Sequence, residues 1–430
     1  MLNFLFTKTP LFFFIQSLWR DEAFSYLLAK KNVLEILTLT VKDFNPPLYY
    51  LVLHFWMKVF GSSEIALRSL SLLFYVFTLY VLFEFLKNVL GLSNKKSFVY
   101  FLLLILNPVL VYYAFEARMY SMLAFFASLS FYLFITKKPR LYIIATILGL
   151  YTHYFMIFVV LTQILYSVVY EARKTRIKEI KTIFTSLLIF SPWVIYLFFQ
   201  KKDILNSFWI FPGNIKEAFF LPVVLLTGYE KGVSYFSNIY LYFSLFLIFL
   251  LIIGFTKKPK KKIFYYLNFW VFIPLILIGL VSLYRPLFLP RYTIFIIIGF
   301  NLLIIYILNQ IKQKPHLLFF LLILAFIFYY NQRQVKFRQK EDIRKTIVQI
   351  KKLARPGDLL YITSELDFFT AQYYFGEERV YIFGKSYDLI PSYIGKILIP
   401  KDKITFNLPN FPQKAFILKR NGDYDILARY

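Results

Sequence analysis

Residues 98–140 read FVYFLLLILNPVLVYYAFEARMYSMLAFFASLSFYLFITKKPR. The stretch contains two apolar runs, 98–114 and 119–136, which are joined by the short connection FEAR and closed by the basic loop TKKPR. A helix needs about 20 apolar residues to cross a bilayer, with about 17 as the lower limit. The alternation of apolar run, short turn, apolar run and basic loop therefore predicts an all-α polytopic membrane protein.

The composition of the whole chain agrees with this class. Of the 430 residues, 59% are hydrophobic, 22% are aromatic and only 17% are charged, whereas a soluble domain carries about 25% charged residues. Cysteine is absent, which excludes disulfides, thiolate catalysis and cysteine-based metal sites. The net charge of +27 lies mostly in short loops between apolar runs and in the polar C-terminal tail. We therefore expect the membrane bilayer with its lipid headgroups as a partner, and no nucleic acid.

Apolar runs recur along about the first 330 residues, and we predict about eleven transmembrane helices. The predicted spans are 2–18, 65–87, 98–114, 119–136, 141–152, 154–170, 182–199, 236–255, 264–283, 292–311 and 315–331. Residues 141–170 could alternatively form one long span with a kink. Residues 215–232 are too short and contain Pro222, so we predict an interfacial or re-entrant segment there.

Lysine and arginine predict the orientation, because cytoplasmic loops carry an excess of both. The basic loops all fall on one side of the eleven-span topology: 93–96, 136–140, 171–181, 256–262 and 310–314. We therefore place that side in the cytoplasm, in a multi-pass protein of the inner or plasma membrane. The opposite, extracytoplasmic face receives residues 19–64, the turn 115–118 and everything after about residue 332.

The acidic residues favour the extracytoplasmic face as the place of any carboxylate chemistry. Twelve acids precede residue 333; nine fall outside, Glu171 and Glu179 fall inside, and Glu84 lies within a span. Random solvation of outer loops is an equally good account of some of them: Glu35, Asp203, Glu217 and Glu230. It accounts less well for the acids in apolar surroundings: Asp21, Glu22, Asp43 and Glu116.

The first outer segment, 19–64, begins with WRDEAFS and continues with two stretches of helical apolar spacing. Pro46 and Pro47 can start the second of these helices. Its predicted apolar face consists of Leu48, Leu51, Val52, Phe55, Trp56 and Val59. Such amphipathic juxtamembrane helices would lie along the membrane surface, and they would hold Asp21 and Asp43 at the boundary between water and lipid.

The chain changes character near residue 333. We predict a transmembrane domain over 1–332 and a small soluble extracytoplasmic α/β domain over 333–430. An amphipathic helical pattern at 338–354 is followed by three strand-like runs, RPGDLLYIT, RVYIF and KAFILK.

An ordered set of motifs in residues 17–300 resembles a known family. The motifs are WRDEAFS, DFNPPLYYLVLHFW, FGSSEIALRSLS, NPVLVYYAFEARMYS, LGLYTHYF and RPLFLPRY. They resemble bacterial membrane glycosyltransferases of the GT-C superfamily, in the branch of the protein O-mannosyltransferases and the aminoarabinose transferases that modify lipid A. The resemblance implies a hexosyl- or pentosyltransferase that moves a sugar, with inversion, from a polyprenyl-phosphate donor to an acceptor lipid, glycan or protein on the extracytoplasmic face.

This chemistry implies two kinds of site residue. Inversion needs a base within reach of the acceptor hydroxyl, and the departing lipid phosphate needs positive charge or hydrogen-bond donors. By the resemblance, Asp21 matches the catalytic acid of the DE motif and is expected to be the general base. Two interpretations of Glu22 remain open, since it could support Asp21 in catalysis or cap the following helix.

The expected donor-binding residues come from the other motifs: Asp43, Asn45, Glu116, Arg118, Tyr120, His153 and Arg291. Relatives often carry His or Lys where this chain has Asn45, so charge neutralisation at that position is in doubt. The guanidinium of Arg118 suits a phosphate, although a Glu116–Arg118 pair could instead anchor a helix end.

Three further residues also have structural alternatives. His153, between spans five and six, could be a satisfied residue at a helix end. Arg285 and Arg291 bracket PLFLP, where they could bind phosphate or snorkel to the interface.

A divalent cation is an open alternative, because Asp43, Glu116 and His153 are chemically suitable ligands. Their spacing matches no metal motif, however, and we assign no metal ligands.

Two other functions remain open as alternatives to sugar transfer. A transporter or flippase of lipid-linked precursors would need ionisable residues near the bilayer midplane, and Glu84 is the only clear acid within a predicted span. A non-catalytic envelope scaffold is the third hypothesis.

Overall fold

The computed structural model describes residues 6–43, 45–199, 219–229, 238–256, 261–420 and 422–430. The chain forms two compact units. The first unit contains the described residues of 1–13, 68–195 and 210–338, and the second contains residues 14–67, 196–199 and 339–430. The N-terminal segment with Asp21 thus belongs to the same unit as the C-terminal region. The predicted separation into a membrane domain, 1–332, and a soluble domain, 333–430, stays a prediction.

The described residues are mostly helical. The helices of the N-terminal part are α1 (Phe12–Ile15), α2 (Arg20–Ala29), α3 (Val33–Thr40), α4 (Leu48–Phe60), α5 (Glu64–Asn88), α6 (Asn94–Ile105), α7 (Pro108–Ala114), α8 (Tyr120–Ile135), α9 (Pro139–Thr152) and α10 (Met156–Tyr170). The later helices are α11 (Arg173–Phe199), α12 (Leu221–Thr227), α13 (Asn238–Thr256), α14 (Lys261–Tyr284), α15 (Ile294–Asn309), α16 (Gln313–Phe337), α17 (Ile343–Leu353) and α18 (Phe368–Phe375).

Five helices in the described part of the chain are long and apolar enough to cross a membrane: α5, α11, α13, α14 and α16. The pair α6 and α7 is bent by 64° and passes the same test as one broken span. Shorter apolar helices of 10–17 residues include α8, α10 and α15. The predicted class of multi-pass helical membrane protein is confirmed, whereas the number of eleven spans stays a prediction.

From 65–87 onward, a helix coincides with each predicted span except 98–114, which is divided between α6 and α7. The first predicted span, 2–18, begins outside the described residues, and its described part is helical only at 6–8 and in the four-residue α1. Pro10 precedes α1 and cannot donate to a helical hydrogen-bond ladder, which accounts for the interruption. Residues 141–170 form two helices, because His153 adopts an extended backbone (φ −156°, ψ 135°) between α9 and α10.

The bend between α6 and α7 has a local cause. Asn107 caps α7 by accepting from the Leu110 N–H at 3.2 Å, and Pro108 starts the helix without needing a backbone partner. The Asn107 side chain also donates to the Leu226 carbonyl at 2.9 Å, while Asn331 donates to the Leu106 carbonyl at 2.7 Å. Side chains therefore satisfy backbone groups freed by the break, as an apolar environment requires.

Helices α8, α9 and α10 of the first unit are joined by a buried polar network. The Ser130 and Thr146 hydroxyls lie 3.0 Å apart, and Gln163 donates to Ser130 at 3.1 Å. Tyr142 donates to the Gln163 side-chain oxygen at 2.7 Å. Interhelical hydrogen bonds of this kind specify which helices associate when the surroundings are apolar.

The second unit contains a five-stranded sheet. Its strands are β1 (Leu359–Ile362), β2 (Val380–Phe383), β3 (Ile404–Thr405), β4 (Ala415–Leu418) and β5 (Tyr424–Leu427). The spatial order is β3-β2-β1-β4-β5, with every pair parallel except the antiparallel pair β4 and β5. The three predicted strand runs correspond to β1, β2 and β4, and the predicted amphipathic helix contains α17. The small C-terminal α/β fold is thereby confirmed.

Within the second unit, α2 packs against α18 through aromatic contacts. The rings of Phe24 and Phe369 lie 5.5 Å apart, and those of Tyr26 and Tyr373 lie 5.0 Å apart. Gly395 approaches the Phe24 ring so closely that a Cβ would lie 2.5 Å from it, at a φ of +89° that favours glycine. These contacts hold the helix carrying Asp21 against the C-terminal region.

The helices predicted in the first outer segment are present as α3 and α4. In α4 the buried residues are Tyr49, Tyr50 and Leu53, whereas Phe55 and Val59 of the predicted apolar face are 55% and 74% exposed. An apolar face directed away from the protein suits contact with lipid. Its position along the membrane surface stays a prediction.

Candidate functional site

Asp21 lies in the first turn of α2, at the start of a helix that Trp19 precedes in extended conformation. Its side chain is 31% exposed, and Oδ1 lies 3.7 Å from Arg20 Nε. The Arg20 guanidinium in turn lies 4.8 Å from the centre of the Trp19 ring. Asp21 is therefore a partly exposed carboxylate beside a cation, in the first turn of a helix.

Glu22, by contrast, is fully buried. Its Oε2 accepts a hydrogen bond from the Trp19 N–H at 3.0 Å and lies 3.0 Å from Lys340 Nζ. The first contact caps α2, and the second neutralises the buried charge. Both contacts support the capping interpretation of Glu22, whose predicted catalytic role stays a prediction.

Asp43 and Asn45 follow the end of α3. The Asp43 backbone N–H donates to the Thr40 carbonyl at 3.1 Å, and Asp43 is 6% exposed. Asn45 is half-buried and precedes Pro46 and Pro47, after which α4 begins as predicted. Of the outer acids named in the sequence analysis, Asp203, Glu217 and Glu230 lie outside the described residues.

The second unit also contains a polar group that the sequence analysis missed. Arg344 donates to Glu64 Oε2 at 2.6 Å, and the Tyr374 hydroxyl donates to the other Glu64 oxygen. Tyr374 also accepts from the Leu18 N–H at 2.8 Å. Burial, together with Glu64, raises the pKa of Tyr374. These contacts connect the segment before α2 with α17 and α18, so they position the Asp21 helix.

The first unit brings together five of the predicted site residues in a group that we call the Arg118 cluster. It consists of Glu116, Arg118, Tyr120, His153 and Arg291, with exposures of 2%, 8%, 2%, 4% and 8%, together with Tyr292. All five are thus buried, although three are of charged types. The sequence analysis missed Tyr292, which adjoins Arg291 but has no distinguishing local pattern.

Aromatic rings connect the members of the Arg118 cluster. The Tyr292 ring lies 5.2 Å from His153 and 6.2 Å from Tyr120. The Arg118 guanidinium lies 5.9 Å from the Tyr120 ring, and the Arg291 guanidinium lies 5.7 Å from the Tyr292 ring. Each guanidinium therefore has an aromatic neighbour at cation–π distance, which helps to hold it in place.

The turn that carries Glu116 and Arg118 is fixed through its backbone. The Ser71 hydroxyl donates to the Glu116 carbonyl at 2.6 Å, and the Ser121 hydroxyl donates to the Tyr113 carbonyl at 2.8 Å. The Arg118 N–H donates to the Glu116 carbonyl at 2.7 Å. Buried side chains thus hold a non-helical turn between two apolar helices and fix the direction of Arg118.

His153 is a neutral hydrogen-bond donor in this cluster. Burial, with a further contribution from Arg118, lowers the pKa of His153 to about 3. Its Nδ1 accepts from the Phe155 N–H at 3.1 Å, so the single proton of the neutral ring resides on Nε2. Nε2 is buried and has no hydrogen-bond partner among the described residues.

The arrangement suits an anion. A buried N–H without a partner is unfavourable unless something compensates it, and Nε2 of His153 is such a group among the described residues. A phosphate group accepts two parallel hydrogen bonds from a guanidinium and a further one from an imidazole N–H. The burial of Arg291 favours this reading over snorkelling, whereas Arg285 is only half-buried.

Metal ligation was considered for Asp43, Glu116 and His153. Across the part of the chain that the structure describes, no group of three or more His, Asp or Glu side chains is arranged to hold a metal ion. Asp43 belongs to the second unit, and the other two residues belong to the first.

The geometry defines a multi-pass helical membrane protein whose first unit contains the buried Arg118 cluster and whose second unit contains a small sheet. Residues 45–196 match the model of the family described as dolichyl-phosphate-mannose-protein mannosyltransferase. The matched range includes four members of the Arg118 cluster, and Asp21 precedes it. No curated protein matches the chain in sequence.

Two solved structures are similar to nearly the whole chain. The crystal structure of ArnT from Cupriavidus metallidurans in the apo state is 13% identical and has a TM-score of 0.66, covering 95% of this chain and 90% of that one. The structure of ArnT from the same organism bound to undecaprenyl phosphate is 13% identical with a TM-score of 0.65, covering 95% and 91%. The family-model match and the shared fold confirm the predicted resemblance to GT-C superfamily membrane glycosyltransferases.

Proposed function

We propose that the protein transfers a sugar from a polyprenyl-phosphate donor to an acceptor on the extracytoplasmic face of the membrane. Transfer inverts the anomeric centre, and Asp21 acts as the general base that accepts the proton of the acceptor hydroxyl. Members of the Arg118 cluster bind the donor phosphate. The acceptor is a lipid, a glycan or a protein, and the sugar is a hexose or a pentose.

The observation that carries this proposal is the buried Arg118 cluster. Two buried guanidiniums and a neutral imidazole N–H belong to this cluster, and Arg118 and His153 lie in the range that matches the mannosyltransferase family model, whereas Arg291 lies after it. As the bond between sugar and phosphate breaks, negative charge accumulates on the phosphate oxygens. Donors held in advance in a low-dielectric site stabilise that charge strongly. The ArnT structure bound to undecaprenyl phosphate supports a lipid-linked donor.

Asp21 fits the role of base through its exposure and surroundings. A general base must be reachable by the substrate and must be ionised at the working pH. Asp21 is partly exposed and lies beside Arg20, whereas Glu22 is buried and already occupied by Trp19 and Lys340. The two carboxylates of the DE motif therefore divide into one that can meet a substrate and one that holds the helix.

The surroundings of Glu84 disfavour the transporter alternative. Glu84 lies one turn before the end of α5, is half-buried and accepts from the Asn88 side chain at 2.6 Å. An ionisable residue that moves ions or substrates is expected near the bilayer midplane. Glu84 instead pairs locally at a helix end, as a solvated residue would.

A transfer assay tests the proposal. Purified protein is incubated with a panel of defined polyprenyl-phosphate sugars and acceptors, and mass spectrometry follows the released polyprenyl phosphate. Asp21→Asn is expected to lower kcat by at least 100-fold, because loss of a positioned base removes about 10²–10⁴-fold, while the apparent Tm stays unchanged. Glu35→Gln is the matched control, because Gln can keep the helix cap that Glu35 provides to Asn32, and its activity is expected to equal that of the wild type.

Unchanged transfer by Asp21→Asn would remove the assignment of the base. If no donor in the panel reacts and intact donor instead crosses the membrane of a proteoliposome, the protein is a transporter and not a transferase.

A further inference from the structure

A second concentration of charge lies in the first unit, remote in sequence from the Arg118 cluster. A cavity of about 410 Å³ is located where α8 ends and where α9, α11 and α14 begin. The residues that line it include five lysines, two glutamates and an apolar set: Lys137, Lys138, Lys174, Lys178, Lys262, Glu171, Glu179, Leu133, Phe134 and Tyr142. We call it the lysine cavity. Its loops belong to the side predicted to be cytoplasmic.

The two glutamates of the lysine cavity are already neutralised. Lys137 Nζ lies 2.9 Å from Glu171 Oε1 and also contacts Glu179, and Lys262 Nζ lies 3.1 Å from Glu171 Oε1. Ser167 donates to the second Glu179 oxygen at 2.6 Å. Burial acts to raise the pKa of Glu171, but the two lysines outweigh it and lower that pKa.

The contacts of Lys137 hold its backbone in an uncommon conformation. Lys137 has a φ of +58°, in the left-handed region that costs a residue with a Cβ about 1–2 kcal/mol. Such a conformation persists where surrounding contacts over-determine it. Here the two ion pairs and the contact of Nζ with the Phe134 ring, at 5.3 Å, fix the side chain.

Three lysines remain to give the cavity its charge. Lys138, Lys174 and Lys178 are exposed and have no ion-pair partner within the described ranges. Lys174 and Lys178 are four residues apart on α11, so they lie on one face of the helix. With five lysines against two glutamates, the lining carries three positive charges in excess.

The helix directions add to this positive potential. Three helices, α9, α11 and α14, begin beside the cavity, and none has an acid in its first turn. The N-terminus of a helix carries a partial positive charge and exposed N–H groups. The lysines and the helix ends therefore favour the same kind of ligand, an anion.

We propose that the lysine cavity binds the anionic headgroup of a phospholipid from the cytoplasmic leaflet. The volume lies within the range of about 300–1,000 Å³ for ligand pockets. The lining combines lysines with Leu133, Phe134 and Tyr142 at the ends of apolar helices, which suits a molecule with a charged head and apolar chains. Basic pockets between helices on the cytoplasmic side bind lipid headgroups in this way. The proposal does not depend on the sugar-transfer reaction.

Native mass spectrometry of the full chain tests the proposal. The protein is released from nanodiscs that contain equal amounts of phosphatidylglycerol and phosphatidylcholine, and the retained lipids are counted. The triple variant Lys138→Gln, Lys174→Gln, Lys178→Gln is expected to retain at least fivefold less phosphatidylglycerol than the wild type. The matched control, Lys95→Gln, Lys312→Gln, Lys314→Gln, removes the same charge from exposed positions of the same predicted face and is expected to behave as the wild type.

Two outcomes would overturn the proposal. If both triple variants lose phosphatidylglycerol equally, the attraction is a general property of a basic surface. If inorganic phosphate or glycerol phosphate displaces phosphatidylglycerol from the wild type at millimolar concentration, the cavity is a site for soluble anions.

A measurement on the wild type makes the result independent of folding of the variants. Phosphatidylglycerol with a photoreactive headgroup is expected to label peptides from residues 133–142 and 171–182. Labelling confined to other peptides would contradict the assignment.

Discussion

The carboxylate of Glu22 and the ammonium of Lys340 lie 3.0 Å apart, with 0% and 5% of their side chains exposed. The pair joins the start of α2, where Asp21 is located, to the segment that precedes α17. Its two residues are 318 positions apart in the chain. Glu22 also accepts from the Trp19 N–H at 3.0 Å. The position of the proposed base therefore depends on an ion pair with the C-terminal region.

Removal of Lys340 is expected to destabilise the protein strongly. Breaking a buried ion pair leaves an uncompensated charge and costs about 3–5 kcal/mol. We expect Lys340→Met to lower the apparent Tm of the detergent-solubilised protein, and the double variant Glu22→Gln, Lys340→Met to recover part of the loss, because Gln keeps the contact with Trp19 and carries no charge.

Lys345→Met provides the matched control. Lys345 is 82% exposed and lies 4.0 Å from Asp342, and such surface pairs contribute about 0–1 kcal/mol. Equal Tm values for Lys340→Met and Lys345→Met would show that the buried pair does not hold the unit together.

Asp367 should make the stability of the second unit depend on pH. Burial and the neighbouring Glu341 and Glu365 raise the pKa of Asp367 to about 6, although Arg20 and Arg420 act in the opposite direction. The folded state then binds a proton more readily than the unfolded state between pH 4 and 6. This group therefore favours folding below about pH 4, and its contribution to the free energy of unfolding falls as the pH rises to 6.

We expect Asp367→Asn to raise the apparent Tm at pH 7.5 and to flatten its dependence on pH between 4 and 6. Thermal unfolding of the wild type and the variant across that interval measures the effect. Asp388→Asn, at an exposed position, should leave the profile of the wild type unchanged. If the Tm of Asp367→Asn changes with pH in parallel with that of the wild type, Asp367 is not the cause of the pH dependence.

His153 should contribute to donor binding through its Nε2–H. A hydrogen bond to a charged group is worth about 1.5–3 kcal/mol, so His153→Phe should raise the KM for the lipid-linked donor by roughly 10- to 100-fold. His153→Gln should recover part of the loss, since its amide can donate from a similar position. Because the pKa of His153 is lowered to about 3, the wild-type KM should show no inflection from this residue between pH 5.5 and 8.

His316→Phe is the control for this series. His316 is half-buried, and its Nε2 lies 2.6 Å from the Tyr100 hydroxyl in another part of the first unit. Its substitution should leave the donor KM unchanged. A purely structural role of His153 would instead lower the stability of both His153 variants without a selective change in KM.

Gly299 should tolerate no larger residue. A Cβ at this position would lie 2.6 Å from Trp270 Cδ1, and Trp270 is fully buried, stacks on Phe131 at 3.9 Å and donates to the Phe295 carbonyl at 2.8 Å. Because the indole has no room to move, we expect Gly299→Ala to cost roughly 1–3 kcal/mol and to lower the apparent Tm.

Gly279 offers a direct comparison within α14. A Cβ there would meet nothing within 4 Å, so Gly279→Ala should be neutral or stabilising by up to about 1 kcal/mol. A Tm for Gly299→Ala at or above that of Gly279→Ala would contradict the packing argument.

Local patterns predicted most of the helices and the longer strands. The apolar runs from 65–87 onward coincide with helices, and the runs around 359–362, 380–383 and 415–418 are strands. These elements were predictable because the spacing of apolar residues within a short segment indicates its secondary structure. The two-residue β3 is too short to show a period. The edge strand β5 is as long as the predicted strands, but it is mostly exposed and contains Asp425, so it lacks their apolar run. The break at Pro10 was visible in the sequence, but hydrophobicity outweighed it in the prediction of the first span.

The candidate site was predictable residue by residue but not as an assembly. Motifs singled out Arg118, His153 and Arg291, and the structure brings these residues into one buried cluster. Nothing local to Tyr292, Lys340 or Arg344 distinguished them, because their importance comes from the partners that they meet.

By itself, the sequence determined that the chain forms apolar helices, carries its basic loops in a regular alternation and resembles GT-C glycosyltransferases. These properties depend on runs of neighbouring residues, whose hydrophobicity and backbone hydrogen bonding are local. Only the tertiary structure decided that Glu22 is a buried partner of Lys340, that Asp21 remains accessible and that Arg118 and Arg291 are both buried. Burial and ion pairing are properties of positions far apart in the chain, so no short stretch of sequence contains them.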